Sequence, residues 1–474
     1  MNRALRARLA RIPRIADDAV VIGLAALARL VVVAWAAGKF PPVADGSYYH
    51  VIGERIARGQ GYTWLWPDGA VTYAAHYPVG YPWIVAGAYR LLGPEPWHAM
   101  LANALIGVAG AWAALAVARR STSRALALLA GVLVALHPAL VAYTPALMTE
   151  GVTASLCMLG AWAAVRAREA PERRRLPWLA VLGLLIGACT LVRPQAILIA
   201  PFLSWFAVPP ENPWRPRLRA TLVACGLAAL LCVPWVVRNE LRMGHAGLSF
   251  NGGWNLLIGN DPAGRGGWAE LKVPEACRLV FQEADKDACF GREAVKQILA
   301  QPLAWAALAP SKLAVTFDYC GGAGWYLRES NGTVFTDDWK LRLGAVETLW
   351  IRLTLLASIV WAAWARGPLR RLRWALAAAS IPFVFLQHGW VAWMGLAAVL
   401  ACSGKALRRM PVLVPATLGM VATTGLTHAV FFGSGRYSLV VLPFVTCLAC
   451  GLLTAGGQPA HTPALEGDLA DAPH

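Results

Sequence analysis

Five short segments carry the residues able to do chemistry, and each lies beside an apolar run. They hold Asp45 in "KFPPVADGSYYHVIGERIARGQGY", His76 in "AAHYPVGYPW", Glu150 in "LMTEG", Arg193 in "LVRPQ" and Arg436 in "GSGRYS". An ionised aspartate can take a proton from a nucleophile, and guanidinium groups can bind phosphate oxygens bidentately. Each residue also has a plainer reading. Asp45 precedes the first turn of a helix, where Asp is a favoured N-cap. Arg193 and Arg436 stand at the ends of apolar spans, from which arginines snorkel to lipid headgroups. Glu150, at the start of a span, either serves the helix dipole or contacts an acceptor. His76 donates to phosphate, binds a metal or fills a turn.

The elements that must position these residues follow from composition. Of 474 residues, 58% are hydrophobic and 15% charged, and the mean hydropathy is +0.50. That is a polytopic membrane protein rather than a soluble domain. The net charge of +17 is read by position, because Lys and Arg in short loops orient a chain in a bilayer, and nucleic acid is not indicated. Five Arg precede the first span in "MNRALRARLARIPR", which is expected to be a retained anchor. Further runs fall near 98–118, 125–143, 149–165, 176–192, 194–208, 220–237, 345–365, 374–387, 389–403, 411–431 and 437–455, giving about twelve spans. Alternation puts the basic loops 119–124, 166–175, 209–219, 366–373 and 404–409 in the cytoplasm with the N-terminus.

Two longer segments, 38–97 and 239–344, are then extracytoplasmic: the first belongs to an N-terminal transmembrane catalytic module (1–238), and the second joins that module to a C-terminal one (345–456). Residues 457–474 form a disordered cytoplasmic tail. Tyr49, Ile52 and Ile56 recur at helical spacing, with Asp45, Glu54, Arg55 and Arg58 elsewhere around the helix and Gly59 and Gly61 ending it. Glu54 reads as a solvated residue. The apolar part of "AAHYPVGYPWIVAGAYRLLG" is too short to span and predicts an interfacial helix, with Tyr81 and Pro78 shaping the loop. In the second segment, "FNGGWNLLIGNDPAGRGGW" would let backbone approach a sugar, with Trp254 and Trp268 stacking on it; no nucleotide-binding pattern is present. "PLAWAALAPSKLAVTF" predicts an interfacial helix or lid with Lys312 on its polar side, a weaker phosphate candidate. Cys277 and Cys289 either bridge or stay free thiols, while the cysteines of the apolar spans read as small core residues.

Taken together, the Asp after the first span with "YY" and "GQGY", "HYPVGYPWIVAG", "LMTEG", "LVRPQAIL", "VPWVVRNELRMGHAGLSFNGGW" and "GRYSLVVLPF" resemble the polyprenyl-phosphate-sugar-dependent glycosyltransferases of the GT-C superfamily. Protein O-mannosyltransferases and lipid A aminoarabinose transferases are among its members. The resemblance covers most of the chain and implies an all-α GT-C-like bundle with interfacial helices in two extracytoplasmic loop regions. It implies an inverting sugar transfer from a polyprenyl-phosphate donor at the outer face of the plasma membrane, most naturally a bacterial inner membrane. Asp45 would be the base; Arg193, Arg436, His76 and Lys312 would bind the donor phosphate; and Tyr49, Tyr81, Glu150 and Trp254 would contact sugar or acceptor. Many relatives carry Asp-Glu where this chain has Asp45-Gly46, which leaves a divalent metal, and any other cofactor, an open question. The acceptor, whether lipid, protein or polysaccharide, is not legible. The rival classes are a transporter or lipid-sugar flippase, which should place ionisable groups at mid-span, and a scaffold with a decayed transferase body.

Overall fold

The computed structural model describes residues 3–451, with side chains from Ile15 onward. The five N-terminal arginine side chains and the expected tail 457–474 lie outside the described residues. The chain is a multi-pass helical membrane protein. Its first helix, α1 (Arg3–Ala36), leads into α2 (Asp45–Ala57), a β-hairpin, α3 (Gly80–Leu92) and α4 (Pro96–Ala118). Then come α5 (Arg124–Ala135), α6 (Pro138–Ala142), α7 (Glu150–Glu169), α8 (Glu172–Val192), α9 (Ala200–Phe206) and α10 (Trp214–Met243). The segment after α10 holds α11 (Gly252–Asn260), α12 (Glu283–Ala300), α13 (Pro302–Ala307), α14 (Ala309–Phe317) and α15 (Gly322–Ser330). The chain ends in α16 (Asp337–Trp364), α17 (Arg370–Ser380), α18 (Pro382–Phe385), α19 (Trp390–Ala401), α20 (Leu413–Val430) and α21 (Leu442–Cys450).

As far as the described residues extend, the expected apolar runs are helical, but not every one is long enough to cross a bilayer. Among the described residues, seven helices have the length and apolarity for that, and eight if the bent pair Glu283–Ala300 and Pro302–Phe317 counts as one. The runs at 194–208, 389–403 and 437–455 are shorter helices, Pro194–Phe206, Trp390–Ala401 and Gly435–Cys450. Proline and 3₁₀ turns break the first and third of them, and the seven or eight candidates among the described residues fall short of the about twelve spans expected. The all-α expectation needs one correction. Thr63–Leu65 pairs antiparallel with Val71–Tyr73, Thr63 opposite Tyr73, making a small hairpin in the segment after α1. A second correction concerns ionisable groups in the spans. Arg29, His137 and Glu347 are buried within helical runs expected to be apolar or at their ends. Arg29 donates to the carbonyls of Ala135 and Ala25 at 2.8 and 3.3 Å, satisfying its charge with helix backbone.

After α10, Phe250 and Ala284 pack on Tyr62, Ala74 and Ala75 of the hairpin and its flank, while α14 packs on α19 and α20 and α15 on α16. Cys277 and Cys289 are bridged, joining a 3₁₀ turn to α12. "FNGGWNLLIGN" is not an open sugar-binding loop but helix α11, whose first amides are taken by the Asp287 carboxylate, including Trp254 N at 2.8 Å. Its Gly253 lies against the α12 backbone, where a Cβ would have no room. Gly253 therefore serves helix contact rather than ligand approach.

Candidate active site

Helix α2 begins at Asp45 itself, with Ala44 at the N-cap and no side-chain cap. The N-cap expectation is therefore wrong, and the carboxylate is free to turn sideways. It meets the guanidinium of Arg436, Nη2 to Oδ2 2.8 Å, across almost the full length of the sequence. Arg436 also reaches Glu150, Nε to Oε1 3.4 Å, and Glu150 Oε1 accepts from Arg193 Nη1 at 2.7 Å. Asp45, Arg436, Glu150 and Arg193 thus form one chain of alternating charge, two negative and two positive. Four segments build it: the start of α2, the 3₁₀ turn Gly435–Val441, the start of α7 and the residue closing α8.

The packing that brings these segments together depends on close backbone approach. Gly80, at the start of α3, lies against Leu191 and Val192 at the end of α8; a Cβ there would stand 2.6 Å from the Leu191 carbonyl oxygen. This holds "HYPVGYP" beside Arg193. Gly435 packs in the same way on the Tyr319 and Cys320 carbonyls. The His76 segment is pinned from the other side: Arg238 donates to the carbonyls of Ala74 and Tyr62 at 2.9 and 2.7 Å, and Glu283 accepts from Ala75 N at 2.6 Å.

Electrostatics differ along the chain. Asp45 keeps 27% of its side chain accessible, whereas Glu150 keeps 2%. Burial pushes the Asp45 carboxyl up, but the Arg436 charge, a hydrogen bond from Tyr77, the Arg436 hydrogen bond and nearby His76 outweigh it and hold it below the usual carboxylate range. His76 is lowered from 6.5 to about 4, chiefly by burial, so at neutral pH it is an uncharged imidazole. It can donate one hydrogen bond but brings no charge to a phosphate.

Asp45, Glu150, Arg193 and Arg436 are thus brought together, with His76 near Asp45. Trp254 is half-buried, with its ring 6.0 Å from that of His76. Three other expected site residues are not surface groups of this site. Lys312 is wholly buried on α14 rather than on a polar face, and its Nζ donates to Val430 O at 2.8 Å. Tyr49 and Tyr81 are buried with ring centroids 4.9 Å apart, and Tyr81 bonds Asn103 at 3.2 Å, so both support the site from behind.

Several partners were not anticipated. Tyr143 donates to Glu150 Oε2 at 2.8 Å, and Tyr77 hydrogen-bonds Asp45. The ring of Tyr437 lies under both guanidinium groups, 4.8 Å from Arg193 and 5.3 Å from Arg436. The Gln195 carboxamide, in the orientation that satisfies both partners, accepts from Arg193 Nε and Nη2 at 2.8 and 3.0 Å. Tyr77 and Tyr437 adjoin singled-out residues, which is the one signal available; Tyr143 carries none.

A divalent metal does not fit this set. Arg436 sits within ion-pair reach of both carboxylates, where a shared cation would have to stand. Among the described residues no group of three His, Cys, Asp or Glu side chains could hold one. Beside Arg193 lies a small cavity of about 30 Å³, lined by Thr153, Gln195, Ile199, Met420, His428 and Tyr437 among others.

Residues 76–237 match the sequence profile of the family described as dolichyl-phosphate-mannose-protein mannosyltransferase. This bears out the resemblance to GT-C membrane glycosyltransferases read from the motifs. The matched stretch contains His76, Glu150 and Arg193, while Asp45 and Arg436 lie outside it. No curated protein matches the chain. Among solved structures it is similar to the oligosaccharyltransferase AglB of Archaeoglobus fulgidus, in complex with an inhibitory peptide and a dolichol-phosphate. That match has 13% identity and a TM-score of 0.46, covering 92% of this chain and 50% of that one. It is also similar to ArnT from Cupriavidus metallidurans, in the apo state (18% identity, TM-score 0.38, 89% and 76% covered) and bound to undecaprenyl phosphate (16%, 0.39, 91% and 78%). The chain spans about half the length of the archaeal protein.

Proposed function

We propose that this protein is an integral membrane glycosyltransferase that moves a sugar from a polyprenyl-phosphate donor to a nucleophile at the outer face of the plasma membrane, with inversion at the anomeric carbon. The observation that carries the reading is the Asp45–Arg436–Glu150–Arg193 chain. Asp45 is its accessible end and is ionised at neutral pH, the state a general base needs. In the proposed step Asp45 takes the acceptor proton as the acceptor oxygen bonds to the anomeric carbon. The bond from that carbon to the phosphate oxygen breaks, leaving its electron pair on the lipid phosphate.

Protonation of Asp45 removes the partner of Arg436 at the moment the phosphate gains charge, so the guanidinium is released toward the leaving group when it is needed. Arg193 stays neutralised by Glu150 and orients the network. The Cys277–Cys289 bridge belongs to the segment packed on the hairpin next to α2, which favours an oxidising compartment for this end of the bundle. We assign the donor to a bacterial inner membrane and treat residues 239–344 as an extracytoplasmic region that completes the site.

The test is Asp45→Asn. Sugar release from a lipid-phosphate donor should fall by about 10²- to 10⁴-fold, the size of a general-base contribution, at unchanged expression and melting temperature. Retained transfer would falsify Asp45 as base. The transporter reading draws on Arg29 and Glu347, which lie in or at the end of spans. Lipid translocation lost in Arg29→Leu or Glu347→Gln, with Asp45→Asn unaffected, would favour it.

A further inference from the structure

Tyr326, on α15, is wholly buried and has no part in the chemistry above, yet its phenol oxygen meets both acid-bearing segments. It accepts from Leu147 N at 3.3 Å and lies in hydrogen-bonding reach of the Val43 backbone. A Cβ added at Gly46 would stand 2.8 Å from that oxygen and 3.1 Å from the Leu147 carbonyl oxygen. Val43 and Gly46 bracket Asp45. Leu147 leads into Glu150, and the sulfur of the intervening Met148 lies 3.4 Å from Arg436 Nη1.

Helix α15 is itself held at both ends. At its start the buried Glu347 carboxylate accepts from Gly321 N at 3.2 Å, and a Cβ on Gly322 would lie 2.9 Å from Cβ of Arg436. At its end Ser330 Oγ donates to Pro41 O at 2.6 Å and Asn331 Nδ2 to Lys39 O at 2.9 Å, both on the strand of chain entering α2. The helix therefore touches the segments of Asp45, Glu150 and Arg436 together.

We infer that Tyr326 is a positioning residue for the transfer reaction: its hydroxyl sets the separation of Asp45 and Glu150 by joining the backbones that precede them, and fills the space a side chain at position 46 would occupy. This rests on the glycosyltransferase reading. Arg436 must reach both carboxylates at once, so a slip of one segment past the other lengthens one ion pair at the expense of the other. Removing the hydroxyl also leaves Leu147 N without its buried acceptor. A side chain at position 46 would compete for the same space, which accounts for glycine there.

A double-mutant cycle tests this, with Tyr326→Phe, Gly46→Ala and the double variant, reading kcat and KM for the lipid-phosphate donor and the melting temperature in detergent. Tyr326→Phe should lower kcat about tenfold with donor KM changed less than about twofold, the signature of misplaced reacting groups. Gly46→Ala should be the worse single variant. The double variant should transfer faster than Gly46→Ala, because the collision with the hydroxyl is gone. An unchanged kcat in Tyr326→Phe, a loss confined to KM, or strictly multiplicative effects in the cycle would overturn the inference. The melting cycle reads the contact without any transfer. Coupled melting together with transfer surviving in Asp45→Asn overturns the base assignment and not the Tyr326 contact, whereas Asp45-dependent transfer with an additive cycle overturns the inference alone.

Discussion

Both ends of the bundle are built on buried or half-buried arginine, and they use it in opposite ways. At the Asp45 end, Arg436 and Arg193 are held by carboxylates. At the other end, Arg217 donates to the carbonyls of Trp205 and Pro209 at 2.8 and 2.7 Å, and Arg168 donates to those of Met410 and Arg408, each at 2.7 Å. Arg373 does the same with carbonyls at the end of α16. A carbonyl cannot take up a proton near neutral pH, so an arginine held by carbonyls is a fixed staple across helix ends. A carboxylate can be protonated, and its arginine is then released. One residue type thus supplies rigidity at one end and a transferable charge at the other, and the partner decides which.

The contrast can be broken at either end. Among the arginines the largest effect is expected at Arg436, where Met in place of Arg removes the charge beside the leaving phosphate. Transfer should fall about 10²- to 10³-fold with a modest change in melting temperature. A loss confined to melting would make Arg436 a staple like Arg217. The converse variant, Arg217→Met, should destabilise by about 3 kcal/mol, as two buried carbonyls lose a charged donor, with kcat per folded molecule unchanged. Denaturation in detergent alongside an activity assay separates the two cases.

The smallest effect concerns acid. His76 has its folded pKa lowered from 6.5 to about 4, so the unfolded chain takes up the proton first as pH falls. Stability is present above pH 6.5 and is lost progressively toward pH 4. Asp45, also lowered, adds its own loss only below its ordinary 3.8. His76 thus contributes a decline in melting temperature between pH 6.5 and 4, opposed by Glu283, which burial raises to about 7 and which gains stability as pH falls from 7 to 4.5; His76→Gln should remove the His76 part of the slope. An identical slope in the variant would show that His76 is not the group being charged.

How much of this was legible beforehand varies with the range of the interaction. Helix α2 was readable from Tyr49 and Ile52, both buried in the structure, and from Gly59 and Gly61, which take the positive φ values that end it. The Cys277–Cys289 bridge was one of two open readings and is formed. Lys312 was misplaced because the side of a short helix that counts as polar depends on what packs against it; here Val430 offers a carbonyl and Trp305 a ring at 5.3 Å. Gly253 of α11 was misread for a related reason: a glycine that admits ligand and one that admits a neighbouring helix look the same in sequence.

The sequence by itself determined that this is a many-spanning membrane protein, that acidic and basic groups collect beside the ends of its apolar runs, and that Asp45, His76, Glu150, Arg193, Lys312 and Arg436 are the charged or titratable candidates. Hydrophobic length and local residue type encode those facts within windows of about twenty residues. Only the tertiary structure decided that Asp45, Arg436, Glu150 and Arg193 form a single alternating chain, that Arg436 rather than a metal lies between the two carboxylates, and that Tyr326 fills the space beside Gly46. Those outcomes join residues as far apart as 45 and 436, and no local pattern records which helix ends will meet when close packing brings the backbones together.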